Sequence, residues 1–137
     1  MEDCIFCKIA NGEIPSETIY EDETFRVILD QSPATKGHAL ILPKQHFRNI
    51  YDIDDDTASK LFVLAAKVAR AMKESLGCDG LNIIQNNEEI AGQTVFHFHL
   101  HIIPRYQGDG QDIAWKPGKS DPVKQKEIAQ QIKAALK

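Results

Sequence analysis

Three of the chain's five histidines fall within five residues, in His97-Phe98-His99-Leu100-His101-Ile102-Ile103, each separated from the next by one bulky apolar residue. Two is the strand period. The pattern therefore predicts a strand with all three imidazoles on one face and Phe98, Leu100 and Ile102 on the other. Imidazole is the side chain that serves as base, acid and nucleophile near neutral pH, so such a face is a chemical surface. A merely solvated strand face would mix Thr, Lys, Ser and Glu.

The central His99 is the expected nucleophile, because a neutral imidazole nitrogen both attacks phosphorus and leaves it well, which suits two successive displacements. Its neighbours stand roughly 7 Å away along the strand, within reach of one phosphate-sized group. A protonated His101 would stabilise charge on the phosphoryl oxygens. His38, on a predicted neighbouring strand, would complete the cluster. This chemistry requires no metal. Just upstream, Ala91-Gly92-Gln93-Thr94 offers a glycine for close backbone approach, with successive N–H groups and the Thr94 hydroxyl to hold an anion.

Histidines are also metal ligands, and two or three on one face could bind zinc or iron, which is the basis of a metal-storage alternative. Separately, Cys4-x-x-Cys7 has the spacing of half a structural zinc site. His46 and His97 would complete a closed Cys2His2 set beside the catalytic pocket. The alternative is a pair of free thiols at a helix start.

The elements that must position these residues are short. Cys4–Asn11 has the composition of a short helix, with Gly12 as its stop. Strands are expected at Thr18–Glu21, Phe25–Asp30 and His38–Leu42, the first two joined through Glu21-Asp22-Glu23 and hence antiparallel. Residues 32–37 read as a loop, and Pro43 closes the third strand. The acidic run Asp52–Asp56 leads into one long helix over about 56–76. There Leu61, Leu64, Ala65, Val68, Met72 and Leu76 form a single apolar face and Gly77 ends it. Two more strands are expected at Leu81–Asn86 and Phe96–Pro104, separated by the loop Asn87–Val95. The tail from 106 to 137 starts Gly-rich, carries Trp115, and ends in a weakly amphipathic helix over about 123–136. Five short strands and one long helix make an α+β domain.

Composition bounds the function. The 137 residues suit a single domain, and no apolar run approaches the roughly 20 residues of a membrane-spanning helix. A net charge of −4 disfavours long nucleic acid as a partner. The acidic Met1-Glu2-Asp3 does not read as a signal peptide, and three cysteines do not make a disulfide framework, so the expected compartment is the reducing cytoplasm.

The run H-F-H-L-H-I-I resembles the signature of the histidine-triad family of nucleotide hydrolases and transferases. Cys4-Ile5-Phe6-Cys7-Lys8-Ile9 with Glu13-Ile14-Pro15, the stretch Gly37-His38-Ala39-Leu40-Ile41-Leu42-Pro43-Lys44-Gln45-His46, and Ala91-Gly92-Gln93-Thr94-Val95-Phe96 are similar to its Hint-like branch. The resemblance covers residues 4–105. It implies an HIT-like fold whose five-stranded sheet extends across a homodimer, with a purine nucleotide of AMP or GMP type in each protomer. By the same resemblance His99 attacks the α-phosphorus of a nucleoside phosphoramidate to form a nucleotidyl-histidine, which water then hydrolyses. His101 contacts the phosphate, while His97 and His38 orient and tune the cluster. Thr94 stands near the leaving group. Asp30 accepts hydrogen bonds from the ribose hydroxyls. Phe6, Ile9, Ile14 and Leu40 line the base; Asn86, Gly92, Gln93 and Thr94 flank the phosphate. Trp115 is a candidate anchor of the tail on the partner protomer. Two alternatives remain at this stage, a dinucleoside polyphosphate hydrolase and a nucleotide-binding interaction module with incidental activity. The chain departs from the family at Thr94, where serine is frequent, and at Glu88-Glu89, where a glycine commonly follows the asparagine. Two carboxylates there would oppose an anionic ligand unless they turn away from it.

Overall fold

The computed structural model describes residues 3–137, so the Met1-Glu2 part of the acidic start lies outside the described residues. In chain order the elements are α1 (Ile5–Ala10), β1 (Thr18–Glu21), β2 (Phe25–Leu29), β3 (Ala39–Pro43), α2 (Asp55–Leu76), β4 (Gly80–Ile84), β5 (Leu100–Arg105) and α3 (Pro122–Ala135), with a single 3-10 turn at Glu89–Ala91. The strands form one antiparallel sheet in the order β1-β2-β3-β5-β4, as expected for the α+β class.

Helix α2 covers one face of the sheet. Leu61, Leu64, Ala65, Val68 and Met72 recur at three and four along α2 and are buried against Phe25, Val27, Ile41, Leu100 and Ile102. Its start is specified by Asp54, whose carboxylate accepts the Thr57 N–H at 2.8 Å, and by Asp55 and Asp56 at the positive end of the helix dipole. Its end is Gly77 in the left-handed region, while Asp52, earlier in the acidic run, accepts the Arg48 and Asn49 N–H groups at 2.9 and 3.0 Å. On the opposite face α1 closes a smaller apolar cluster of Ile9, Ala10, Ile28, Leu40 and Leu42, with Phe6 and Ile14 packed at its margin. The site lies beside this second cluster.

One expected element is shorter than its alternation implies. The strand predicted from Phe96 begins only at Leu100, so His97 and His99 precede it and only His101 sits in the ladder, opposite Leu40 on β3 and Ile84 on β4. The cause is local. Residues 95–97 bend, and the Phe98 N–H donates to the Phe47 carbonyl at 2.7 Å instead of to a neighbouring strand. Helix α3 buries none of its residues, and Trp115 in the preceding segment is exposed. Among the described residues, no helix is long and apolar enough to cross a membrane.

Candidate active site

The histidines divide into two groups at the bend. His99 and His101 stay together, with ring centres 5.1 Å apart. His38, at the start of β3, comes alongside His101, Nε2 to Nδ1 at 3.0 Å. Asp30, at the end of β2, reaches within 3.5 Å of the same His38 nitrogen. The Phe6 ring from α1 stands nearly perpendicular to His99, with centres 4.9 Å apart.

Backbone partners assign the proton on each ring. His99 Nδ1 is 2.7 Å from the carbonyl oxygen of His97; a carbonyl only accepts, so Nδ1 carries the hydrogen and Nε2 keeps a free lone pair. The Ala34 N–H donates to His38 Nδ1 at 2.9 Å, so neutral His38 carries its proton on Nε2 and donates it to His101 Nδ1. His101 must then hold its own proton on Nε2. One ring thus presents a lone pair and its neighbour an N–H. That is the complement a phosphoryl group undergoing nucleophilic attack requires. Burial lowers the pKa of all three rings. His101 falls to about 4, with the neighbouring His99 and His38 adding to the burial effect, so the neutral forms used here are the ones present.

His97 belongs to the other group. Its Nε2–H donates to the Pro43 carbonyl at 2.8 Å, leaving the Nδ1 lone pair directed at Cys4 Sγ and Cys7 Sγ, both 3.3 Å away. His46 Nδ1 lies 3.4 Å from Cys7 Sγ. One donor atom from each of Cys4, Cys7, His46 and His97 falls within 4.8 Å of every other. With Zn–S and Zn–N bonds of about 2.3 and 2.0 Å, a tetrahedral ion spaces sulfur and nitrogen about 3.5 Å apart, so the donor set fits zinc. Cys4 Sγ also accepts the Cys7 N–H at 3.2 Å, capping α1 and fixing the pair. His97 is therefore not on a shared catalytic face; it reaches His99 only through its backbone carbonyl.

The placement of three expected nucleotide contacts is more specific in the fold. Gln93 cannot touch a ligand through its side chain, which is 1% exposed and committed inward. Its Nε2 donates to the Arg48 and Val95 carbonyls, and its Oε1 accepts from the Glu88 N–H and Asn49 Nδ2. Ile9 and Leu40 are buried in the smaller core, which leaves Phe6 and Ile14 as the accessible apolar candidates for a base. Gly92 is where a glycine is required: φ is +99°, and a Cβ would lie 3.3 Å from the Asn86 amide beside it. Thr94 is exposed and opens onto a concavity shared with Cys4, His46, Arg48 and Phe96.

Glu88 does not stand beside the 91–94 loop as a bare charge. Its carboxylate accepts from Arg48 Nη2 and from Asn49 Nδ2, each at 2.9 Å. Sequence reading missed Arg48 and Asn49 altogether, and no local pattern marks them, since they meet Glu88 across about 40 positions.

Residues 11–108 match the family model of the HIT domain. The chain is similar over its whole length to the crystal structure of SMU.412c from Streptococcus mutans, with TM-score 0.95, 46% identity and 87% of that chain covered. It is 35% identical over 135 residues to the adenosine 5'-monophosphoramidase hnt1 of Schizosaccharomyces pombe, covering 98% of both chains. It also superposes on a Zn-bound histidine triad family protein from Mycobacterium smegmatis, with TM-score 0.77, 38% identity, and 98% and 99% of the two chains covered.

Proposed function

The chain belongs to the histidine-triad (HIT) family, and on that premise we propose that it hydrolyses conjugates of a purine nucleoside 5'-monophosphate, with adenosine 5'-phosphoramidate as the model substrate. The similarity to a fungal enzyme named as an adenosine 5'-monophosphoramidase supports this substrate class. The observation that carries the chemistry is the His99 Nδ1–H···O=C His97 bond, which leaves Nε2 as a neutral nucleophile.

In the first displacement His99 Nε2 forms a bond to the α-phosphorus and the P–N bond to the leaving amine breaks. The amine departs with a proton supplied by an imidazole or the Thr94 hydroxyl. The positive charge left on the modified ring rests on Nδ1–H, against the His97 carbonyl. The His101 Nε2–H donates to a phosphoryl oxygen, and His38 holds His101 in that tautomer. In the second displacement water attacks phosphorus and returns a proton to the group that protonated the amine, the P–Nε2 bond breaks, neutral His99 is restored and the nucleoside monophosphate leaves. Asp30, half-buried beside His38, would accept from the ribose hydroxyls. Phe6 and Ile14 would border the base.

Cys4, Cys7, His46 and His97 would hold a structural zinc ion that ties α1 to the residues before β5, with no part in the bond-making steps. Their thiols suit a reducing, cytoplasmic setting. The unpaired outer edge of β4, with Ile83 38% exposed, fits a homodimer in which two sheets join.

The test is rapid-quench labelling with adenosine phosphoramidate labelled at the α-phosphate. A labelled protein adduct in wild type and none in His99→Ala supports the two-step path. Saturable AMP binding with no adduct and no turnover would sink it in favour of a binding module.

A further inference from the structure

Glu88 is the one non-glycine residue among those described with a positive φ, +73°. An L side chain rarely adopts that conformation without compensation, so something must hold it. The holding groups are identifiable. Arg48 Nη2 and the Nδ2 of Asn49, itself 1% exposed, grip the two oxygens of the carboxylate. The Glu88 N–H donates to Gln93 Oε1 at 2.8 Å, and the Glu88 carbonyl accepts from the N–H groups of Ala91 and Gln93, both at 3.1 Å. Asn49 Nδ2 also donates to Gln93 Oε1 at 3.2 Å, so the two sides of the loop share one buried amide. These contacts fix the Glu88 end of the turn, alongside the Gly92 N–H to Glu89 carbonyl bond at 3.0 Å, and the turn carries Gly92 and leads directly into Thr94.

We propose that Glu88 is a positioning residue for nucleotide binding: clamped by Arg48 and Asn49, its carboxylate holds a left-handed bend and thereby sets the backbone of Gly92–Thr94 against the phosphate. The inference rests on the nucleotide-hydrolase reading above and adds a residue to it. Its opposite is that Glu88 acts on the ligand directly, as a negative charge near a phosphate. The two accounts predict effects of opposite sign. Removing a carboxylate that repels the phosphate tightens AMP binding. Removing a clamp that shapes the phosphate loop weakens it.

The experiment measures binding of AMP and of adenosine to the full chain by calorimetry, for wild type, Glu88→Ala and Glu88→Gly. Glu88→Ala is expected to weaken AMP about tenfold and to leave adenosine within twofold, because only the phosphate meets the loop. Glu88→Gly is expected to recover at least half of that loss on a logarithmic scale, since glycine takes a positive φ without strain. Unchanged or tighter AMP binding in Glu88→Ala overturns the proposal. So does an equal loss for adenosine, which would mark general damage to the fold, and so does a Glu88→Gly variant no better than Glu88→Ala. Failure of wild type to bind AMP at all would instead remove the functional reading on which the proposal stands.

Discussion

The carbonyl oxygen of His97 stands 2.7 Å from Nδ1 of His99, so one member of the histidine run orients another through the main chain. The bond has two effects. It assigns the proton to Nδ1, leaving Nε2 available, and it would give an imidazolium formed by attack from Nε2 a partner already in position. His97 is held in turn by Pro43 through Nε2 and by the Cys4/Cys7/His46 corner through Nδ1. His99 and the Cys4/Cys7/His46 corner are thus linked through one peptide group.

Replacing His99 by Ala removes the proposed attacking atom, together with its contacts to Phe6 and His101 and its bond to the His97 carbonyl. Turnover of adenosine phosphoramidate should fall by at least ~10³-fold, the scale on which losing a covalent nucleophile is felt. Circular dichroism should stay native-like, with the melting temperature lowered by no more than several degrees from the small buried space created. A variant retaining even a tenth of the wild-type kcat would remove the nucleophile assignment.

The link to the metal corner predicts that zinc content and activity fall together. Protein purified without added metal should contain one zinc per chain by elemental analysis, and Cys4→Ser should contain little. Losing an ion bound to the folded state alone should lower the melting temperature by roughly 10 °C. kcat should drop too, although no ligand touches the substrate, because the His97 carbonyl loses its support. Stoichiometric zinc in Cys4→Ser, or full activity in zinc-free protein, would contradict this.

Much of this arrangement was legible in the sequence. The apolar spacing of α2, the alternation around Leu100 and Ile102, and the grouping of Cys4, Cys7, His46 and His97 are patterns of residue type, and the chain follows them. The bend at 95–97 was not legible, because alternation continues through Phe96, His97 and Phe98 whether or not a neighbouring strand is there to pair. What decides it is the Phe47 carbonyl, some 50 residues away in sequence. The role of the Gln93 side chain was not legible for a related reason. A glutamine next to a glycine in a predicted anion loop looks like a ligand contact, and only the fold reveals that its amide is used up on Arg48, Asn49, Glu88 and Val95. The charge of Glu88 was visible, but its two partners were not.

Stability should decline on mild acidification through His101. Burial, reinforced by His99 and His38 and opposed by Asp30, lowers its folded pKa to about 4 from an ordinary 6.5. Between those values the unfolded chain binds the proton and the folded chain does not, so stability is full above about pH 6.5 and falls as pH drops toward 4. The contribution of this one ring is at most ~3 kcal/mol. Chemical denaturation at pH 7 and pH 5 should show a smaller pH effect in His101→Gln than in wild type. An identical pH effect in the two proteins would dismiss the assignment.

Gly92 permits a comparison within the same chain. Gly92 and Gly110 both hold positive φ, +99° and +76°, but a Cβ at Gly110 meets nothing within 4 Å, whereas one at Gly92 meets the Asn86 amide at 3.3 Å. Alanine at either position incurs the left-handed penalty of roughly 1–2 kcal/mol, and at Gly92 the added methyl must also displace the Asn86 amide. Gly110→Ala should therefore lower the melting temperature by several degrees with kcat/KM for adenosine phosphoramidate intact. Gly92→Ala should lower it at least as much and cost about tenfold or more in kcat/KM, the loss expected when a phosphate-binding backbone moves by a fraction of an ångström. If the two variants lose activity in proportion to their stability, the loop is only a turn; if only Gly92→Ala loses activity, its backbone is part of the site.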